Sequence, residues 1–189
     1  MKDFWKMSLV ELTERAREAT RRIHGERVTY VVNRNANFTR VCQVGCAFCG
    51  FGRRPGTRGA TADTIDEVVT RVGRTPWVTE VCLQGGIDPN LPPAYYFDLI
   101  RALREAYPWI HLHAFSPMEI DSLCEKSGQE PEEVVVRLRA AGVGSIPGTA
   151  AEILVDRVRR KISRNKLPAD RWIRIVKAAH RAEIGRAHV

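Results

Sequence analysis

Apolar positions along the chain alternate between helical stripes and short β-rich runs. Helical spacing predicts helices over 8–24, 64–73, 92–107, 130–141 and 168–182. Runs rich in β-branched and aromatic residues predict strands over 28–32, 79–84, 109–115 and 143–146. One strand and one helix recur about every 30–35 residues, which indicates a parallel sheet with right-handed crossovers.

Four segments carry the Ser/Thr-x-x-Glu spacing of a helix-capping box, which places a helix start at each. The pairs are Ser8 with Glu11, Thr64 with Glu67, Ser116 with Glu119, and Thr149 with Glu152. Capping alone accounts for Glu119, Thr149 and Glu152. Glu119 also follows the third strand directly, so it is kept as a candidate catalytic residue.

The strand count predicts an α/β fold built from about half of a TIM-type βα barrel. A complete barrel has eight units and about 250 residues, whereas this chain has 189 residues and four predicted units. We expect an N-terminal helix over 8–25 and βα units over 28–182, within a truncated core over 1–182. The last segment, 183–189, matches one translated frame of a common sequencing adapter, so we expect it to be a non-native tail. A half barrel leaves sheet edges open and its inner face uncovered, so we expect the fragment to be inactive.

Charge and hydropathy narrow the class of protein. Thirty Lys and Arg against 22 Asp and Glu give a net charge of +8, which leaves nucleic acid or an anionic ligand open. A zinc-containing nucleic-acid-binding domain would interleave aromatic and basic residues, but the basic runs at 53–54 and 157–166 contain no aromatic residue. No apolar run reaches the roughly 20 residues of a membrane helix, and no signal peptide is visible. We therefore expect a cytoplasmic protein that binds neither nucleic acid nor membrane.

Three of the five cysteines form a C-x3-C-x2-C motif directly after the first predicted strand. Cys42, Cys46 and Cys49 are an odd trio, which disulfide pairing cannot satisfy. Structural zinc normally takes four protein ligands, whereas three thiolates suit a [4Fe-4S] cluster with one iron left open. The spacing favours the cluster, with zinc and unrelated buried thiols as the alternatives.

This cysteine spacing, with an aromatic residue before the last cysteine, resembles that of radical S-adenosylmethionine (SAM) enzymes. The resemblance implies that Cys42, Cys46 and Cys49 bind the [4Fe-4S] cluster and that SAM binds its open iron. The reduced cluster of such enzymes cleaves SAM to a 5′-deoxyadenosyl radical. Phe48 would lie beside the cluster and the adenine.

A second segment of the chain matches the radical SAM pattern at the end of the second strand. Gln84, Gly85 and Gly86 occupy the place where radical SAM enzymes bring the backbone close to the methionyl amine of SAM. The alternative is a simple strand stop made by the two glycines.

Polar residues near the strand ends are candidate substrate contacts. Asn35, Asn37 and Thr39 alternate along the end of the first strand, so an extended backbone places them on one face. His113 projects into the barrel from the third strand, and Ser116 follows at its mouth. His113 is also a candidate catalytic residue, as an acid or base toward the substrate. The alternatives are turn-forming Asn side chains, and for His113 a polar core pair or a metal pair with His111.

Longer segments extend the resemblance to one branch of the radical SAM enzymes. Residues 30–39, 84–87, 111–119 and 146–154 resemble the CofH-type subunit of FO synthase, the 5-amino-6-(D-ribitylamino)uracil–L-tyrosine 4-hydroxyphenyl transferase. That family implies hydrogen abstraction from tyrosine and transfer of its 4-hydroxybenzyl part to the diaminouracil. A second radical SAM subunit then closes the deazaflavin ring.

The alternative within the same branch is the dehypoxanthine futalosine cyclase of menaquinone synthesis. Residues 116–119 and 148–151 favour the FO synthase side, whereas residues 153–160 favour the cyclase. Ala36, Arg40 and Gly50 depart from the usual pattern, which leaves the reaction class intact and weakens the choice between the two substrates.

Overall fold

Parallel strands and helices alternate along residues 4–186, the part of the chain that the computed structural model describes. The strands are β1 (Asn33–Asn37), β2 (Glu80–Gln84), β3 (His111–Ala114), β4 (Ser145–Ile146) and β5 (Gly185–Arg186). The helices are α1 (Leu9–His24), α2 (Ile65–Gly73), α3 (Pro93–Ala106), α4 (Pro117–Ser127), α5 (Pro131–Ala141), α6 (Asp156–Ile162) and α7 (Ala169–Arg181). The sheet order is β1-β2-β3-β4-β5 with every pair parallel, which confirms the predicted α/β half barrel.

The chain divides into two units, with the boundary between residues 31 and 32. The first unit contains a short 3-10 turn and α1. The predicted capping box begins α1, because the backbone N–H of Ser8 donates to Glu11 at 2.8 Å. Gly25, with a φ of 63°, ends the helix in a backbone conformation that favours glycine. No residue of α1 is buried.

The first strand lies five residues later than the sequence predicts. The β-branched run 28–32 forms no strand, and the Asn-rich segment Asn33–Asn37 pairs with β2 instead. Pairing places Ala36 on the buried face, where it is 0% exposed. Strand position here depends on pairing and on burial of one face, which the β propensity of a single segment does not report.

The two faces of the sheet differ sharply in polarity. Residues of the outer face are buried beneath the helices, and they include Val81, Leu83, Leu112, Ala114 and Ile146. The opposite face, called the inner face below, carries polar side chains in three tiers defined by the strand register. From the amino ends of the strands upward, these tiers are Asn33, Glu80 and His111; then Asn35, Cys82, His113 and Ser145; then Asn37 and Gln84.

The loop after β4 does not form the predicted fourth capping box. The helix expected at Thr149 begins only at Asp156, with Val155 as its N-cap. Ala150 and Glu152 have φ values of 67° and 39°, which a helix start does not allow. Thr149 and Glu152 are therefore loop residues rather than a cap.

A buried arginine holds this loop. The Arg159 side chain, only 3% exposed, donates from Nη1 to the carbonyl oxygens of Ala150, Ala151 and Ile153 at 3.1, 2.5 and 3.1 Å. Its Nη2 donates to the carbonyl of Leu167 at 2.7 Å. One guanidinium thus joins the β4–α6 loop to the segment before α7.

The last strand falls within the segment expected to be a non-native tail. Ile184 is buried, and Gly185–Arg186 pairs with β4. Residues 187–189 of that predicted tail lie outside the described residues, and its origin stays a prediction. Among residues 4–186, no helix is both long and apolar enough to cross a membrane.

Replacing Arg159 tests the role of its guanidinium. We expect Arg159→Met to lower the free energy of unfolding by about 3 kcal/mol, because four carbonyl bonds to a buried charge are lost. Arg160→Met is the matched control, since Arg160 is exposed and belongs to the same helix. Urea denaturation followed by circular dichroism measures both, and equal losses in the two variants would contradict the assignment.

Candidate active site

The cysteine loop (residues 42–54) begins a few residues after β1 ends at Asn37. Its two ends are joined by a bond from the N–H of Cys42 to the carbonyl of Arg53 at 2.8 Å. Within the loop, the N–H of Cys49 donates to the carbonyl of Cys46 at 3.2 Å, and the N–H of Gly52 donates to Cys49 Sγ at 3.4 Å. The local bonds therefore fold the motif back on itself.

The three cysteines line two adjoining cavities of about 230 Å³ each. One is lined by the cysteine loop alone, with Arg54 in its wall. The other, called the mouth cavity below, extends from the cysteines to the carboxyl ends of the strands. Its walls include Phe48, Gln84, Gly85, Gly86, Glu119, Thr149, Glu152 and Lys166. The predicted cofactor residues are thus brought together.

The donor set of the cysteine loop suits an iron–sulfur cluster, because it offers three thiols and each thiolate of a [4Fe-4S] site binds a different iron. Gly52 lies beside two of the cysteines: a Cβ there would lie 3.1 Å from Cys42 Cβ and 3.7 Å from Cys49 Sγ. Among residues 4–186, no three His, Cys, Asp or Glu side chains are grouped closely enough to hold a single metal ion.

The end of α6 and the segment that follows it anchor the cysteine loop. The N–H of Ala47 donates to the carbonyl of Ile162 at 2.8 Å, and Asn165 Nδ2 donates to the carbonyl of Val44 at 3.2 Å. These bonds span more than a hundred residues of sequence, and so the motif spacing gave no signal of them.

A lysine and a glutamate form a charged wall beside the exposed Phe48. Lys166 Nζ lies 5.4 Å from the centre of the Phe48 ring and 2.7 Å from Glu152 Oε1. Both charged residues line the mouth cavity. Lys166 belongs to the basic run 157–166, which the sequence does not distinguish from an ordinary solvated helix end.

The two glycines after β2 allow a close backbone approach. A Cβ at Gly86 would lie 2.1 Å from the carbonyl oxygen of Val41, and a Cβ at Gly85 would lie 2.7 Å from the Phe38 ring. The N–H of Gly86 donates to the carbonyl of Thr39 at 2.9 Å. The end of β2 is thereby held against the start of the cysteine loop.

Glu119 caps α4 as predicted and also reaches across to β2. Its Oε2 accepts bonds from the N–H and Oγ of Ser116 at 2.7 and 2.6 Å, and its Oε1 accepts one from the N–H of Gly85 at 2.8 Å. Burial raises the pKa of Glu119 to about 7, although these three hydrogen bonds act to lower it. The bond to Gly85 crosses 34 residues of sequence and was not predicted.

The backbone before this cap is strained. Phe115 is fully buried and has a φ of 57°, a left-handed conformation that is rare for a bulky residue. The Phe115 ring packs edge-to-face on Tyr96 with centroids 5.1 Å apart. Packing thus fixes the backbone turn that aims Ser116 and Glu119 at the mouth cavity.

Of the five predicted substrate residues, only Ser116 lines the mouth cavity, whereas Asn35, Asn37, Thr39 and His113 do not. Asn37 Nδ2 donates to the carbonyl of Gln84 at 3.1 Å. Thr39 is buried, and its Oγ1 accepts a bond from the N–H of Val41 at 3.1 Å. Thr39 follows the end of β1, and both residues border a separate cavity beside Arg71. Their bonds support the β1–β2 edge.

His113 and Asn35 lie in the middle tier of the inner face. Ser145 Oγ lies 2.7 Å from His113 Nδ1 and 2.6 Å from His111 Nε2. Burial lowers the pKa of His113, while nearby Glu80 acts in the opposite direction. Both histidines are thus bonded to the same hydroxyl. Ser145, which joins them, was missed because a lone serine in a short strand carries no sequence signal.

A half barrel with three cysteines and a Gly-Gly turn at one mouth defines a class of cofactor-dependent βα-barrel enzymes. Residues 36–189 match the family model of the radical SAM superfamily, and the chain belongs to that superfamily. Within it, the chain is 49% identical over 167 residues to the FO synthase of Mycobacterium tuberculosis, a match that covers 87% of this chain and 19% of that protein.

Two further comparisons agree with this assignment. The chain is 42% identical over 164 residues to the 5-amino-6-(D-ribitylamino)uracil–L-tyrosine 4-hydroxyphenyl transferase of Microcystis aeruginosa, covering 83% of this chain and 43% of that protein. The X-ray structure of the FeFe-hydrogenase maturase HydG from Carboxydothermus hydrogenoformans gives a TM-score of 0.63 at 16% identity, covering 92% of this chain and 38% of that one. The HydG match supports the fold alone. The resemblance predicted from the sequence is confirmed.

The close approach at Gly86 can be tested by adding one methyl group. We expect Gly86→Ala to lower the free energy of unfolding by about 2 kcal/mol or more, because the Val41 backbone must move to admit the Cβ. Gly50→Ala is the matched control in the cysteine loop, since a Cβ there has nothing within 4 Å. Urea denaturation measures both. Equal stability of the two variants would show that the approach is not tight.

The raised pKa of Glu119 predicts a pH-dependent stability. Between its ordinary value of 4.5 and about 7, the folded chain keeps a proton that the unfolded chain releases. Stability should therefore fall as the pH rises through that range, by on the order of 3 kcal/mol from this group. Glu119→Gln should remove this contribution.

The control for this titration is Glu67→Gln, which changes the equivalent capping glutamate of α2. Glu67 is exposed, and hydrogen bonds from Thr64 lower its pKa. The Glu67 variant should keep the fall in stability between pH 4.5 and pH 7. Unfolding free energies across that range decide the point, and an unchanged fall in Glu119→Gln would remove Glu119 as its source.

Proposed function

We propose that this chain carries the cofactor-binding half of a radical SAM transferase of deazaflavin (FO) biosynthesis. The reaction joins the 4-hydroxybenzyl part of tyrosine to 5-amino-6-(D-ribitylamino)uracil. The observation that carries the proposal is the meeting of three cysteines and a Gly-Gly turn at one cavity, in a chain 49% identical to an FO synthase. The chain spans 19% of that relative's length, so the activity of a whole enzyme is part of the proposal.

Cys42, Cys46 and Cys49 would hold a [4Fe-4S] cluster. Such a cluster, together with SAM, would supply 5′-deoxyadenosyl radical chemistry at this site. Gly85 and Gly86 line the mouth cavity beside Cys42, and their missing side chains let the end of β2 pack against Phe38 and the Val41 backbone.

Other residues of the mouth cavity would position a bound cofactor or hold neighbouring segments together. Phe48 offers an exposed ring beside the cysteines, and Lys166 and Glu152 supply opposite charges near that ring. Gln84 Nε2 donates to Thr149 Oγ1 at 3.1 Å and so joins the second and fourth units across the cavity. Glu119 holds the Gly85 N–H and acts as a positioning residue.

The substrate would bind along the polar inner face. His113 and Asn35 are the predicted contacts best placed for this role, with Ser116 at the mouth. Asn37 and Thr39 are engaged in bonds that support the β1–β2 edge. A second radical SAM subunit as partner, a cytoplasmic location and the lack of nucleic-acid binding stay predictions from the sequence.

The proposed function is tested in a chain of the relatives' length, reconstituted anaerobically with iron and sulfide. Incubation with SAM, a reductant, tyrosine and the diaminouracil should yield 5′-deoxyadenosine and the coupled product, measured by mass spectrometry. Cys46→Ser should lose iron and both products, whereas Cys124→Ala changes a cysteine of α4 outside the loop and should keep them. Formation of 5′-deoxyadenosine only with dehypoxanthine futalosine would favour the menaquinone enzyme instead. A colourless protein with one zinc would overturn the cluster assignment.

A further inference from the structure

One hydroxyl on the inner face joins two histidines. Ser145 Oγ lies 2.7 Å from His113 Nδ1 and 2.6 Å from His111 Nε2, both short for bonds of this kind. Ser145 lies opposite His113 in the strand register, and Gly144 makes room for the other ring. A Cβ at Gly144 would lie 2.4 Å from Cε1 of His111.

The number of protons available to the two histidines and Ser145 restricts which ring nitrogens can be protonated. A serine hydroxyl carries one proton, so it can donate to only one of the two imidazoles. If it donates to His111 Nε2, His113 must donate to it from Nδ1. The Nε2 of His113 is then unprotonated, and this nitrogen makes no hydrogen bond within residues 4–186. It is therefore available to accept a proton from a ligand.

The two histidines have different surroundings. His113 is 8% exposed, and burial lowers its pKa, which disfavours the imidazolium form. His111 is exposed and lies opposite Glu80 of β2 in the strand register. The charged group facing the pair from β2 is Glu80, whose carboxylate accepts a bond from Asn33 Nδ2 at 2.7 Å. Asn35 on β1, Cys82 on β2 and Ser145 on β4 share the tier of His113.

We propose that His113, Ser145 and His111 form a proton relay that accepts a proton from an N–H or O–H group of the substrate. The substrate proton moves to His113 Nε2, the Nδ1 proton of His113 moves to Ser145 Oγ, and the original Oγ proton moves to His111 Nε2. The positive charge ends on His111, the exposed member, and no electron is transferred. The relay rests on the proposed function only in that the substrate binds along the inner face.

The protonation pattern can be observed without any activity. The chain has five histidines, and 15N labelling of their rings with His111→Asn and His113→Gln variants assigns the pair. The relay requires Nδ1–H and unprotonated Nε2 in both rings at neutral pH. Ser145→Ala should abolish this shared pattern, and Ser145→Thr should keep it because the hydroxyl is retained. A protonated Nε2 on neutral His113 would overturn the relay.

Turnover in a chain of the relatives' length supplies the second readout. Ser145→Ala should slow coupled-product formation by on the order of 10²-fold, with a changed pH profile, while Ser145→Thr restores most of the rate. Iron content and cleavage of SAM should be unchanged in both variants, which separates failure of the relay from failure of the proposed function. Equal product rates and equal pH profiles in wild type and Ser145→Ala would reject the relay.

Discussion

The close backbone contact between Gly86 and Val41 is the constraint on which the rest of the site depends. It sets the end of β2 directly against the residue before Cys42, at a distance that only glycine permits. Any side chain at Gly86 would separate the cysteine loop from the strand ends. The cofactor loop and the mouth of the half barrel share one wall because of this contact.

The neighbouring bonds extend this constraint to the third and fourth units. Glu119 ties the start of α4 to Gly85, and the strained turn at Phe115 aims that glutamate. Arg159 holds the loop after β4, which supplies Thr149 and Glu152 to the same cavity. Each of these βα units therefore contributes one hydrogen-bonded element to the cavity. Contacts between the βα units assemble the site. Buried charges, such as that of Arg159, require partners and so fix the loop in one arrangement.

Local patterns predicted those features that depend on a few neighbouring residues. The helices with capping boxes at Ser8, Thr64 and Ser116, the Gly-Gly turn and the cysteine trio follow from spacing and backbone chemistry. Prediction failed where long-range pairing decided the outcome. The run 28–32 has a high β propensity, but register with β2 selected Asn33–Asn37. Thr149 has a capping sequence, but the loop bonds to Arg159 replace the cap.

In this sheet, the outer face stabilises the fold and the inner face carries the polar side chains. Barrel interiors are commonly filled by branched apolar residues, which stabilise the fold. Here the apolar residues of the strands, such as Leu83 and Leu112, face the helices and are at most 1% exposed, so the sheet is stabilised from its outer side. The inner tiers are thus free to carry Asn, Glu, Cys, His and Ser side chains. Hydrogen bonds between strands, including those of Ser145, satisfy several of these groups and place the remaining nitrogens where a polar ligand can meet them.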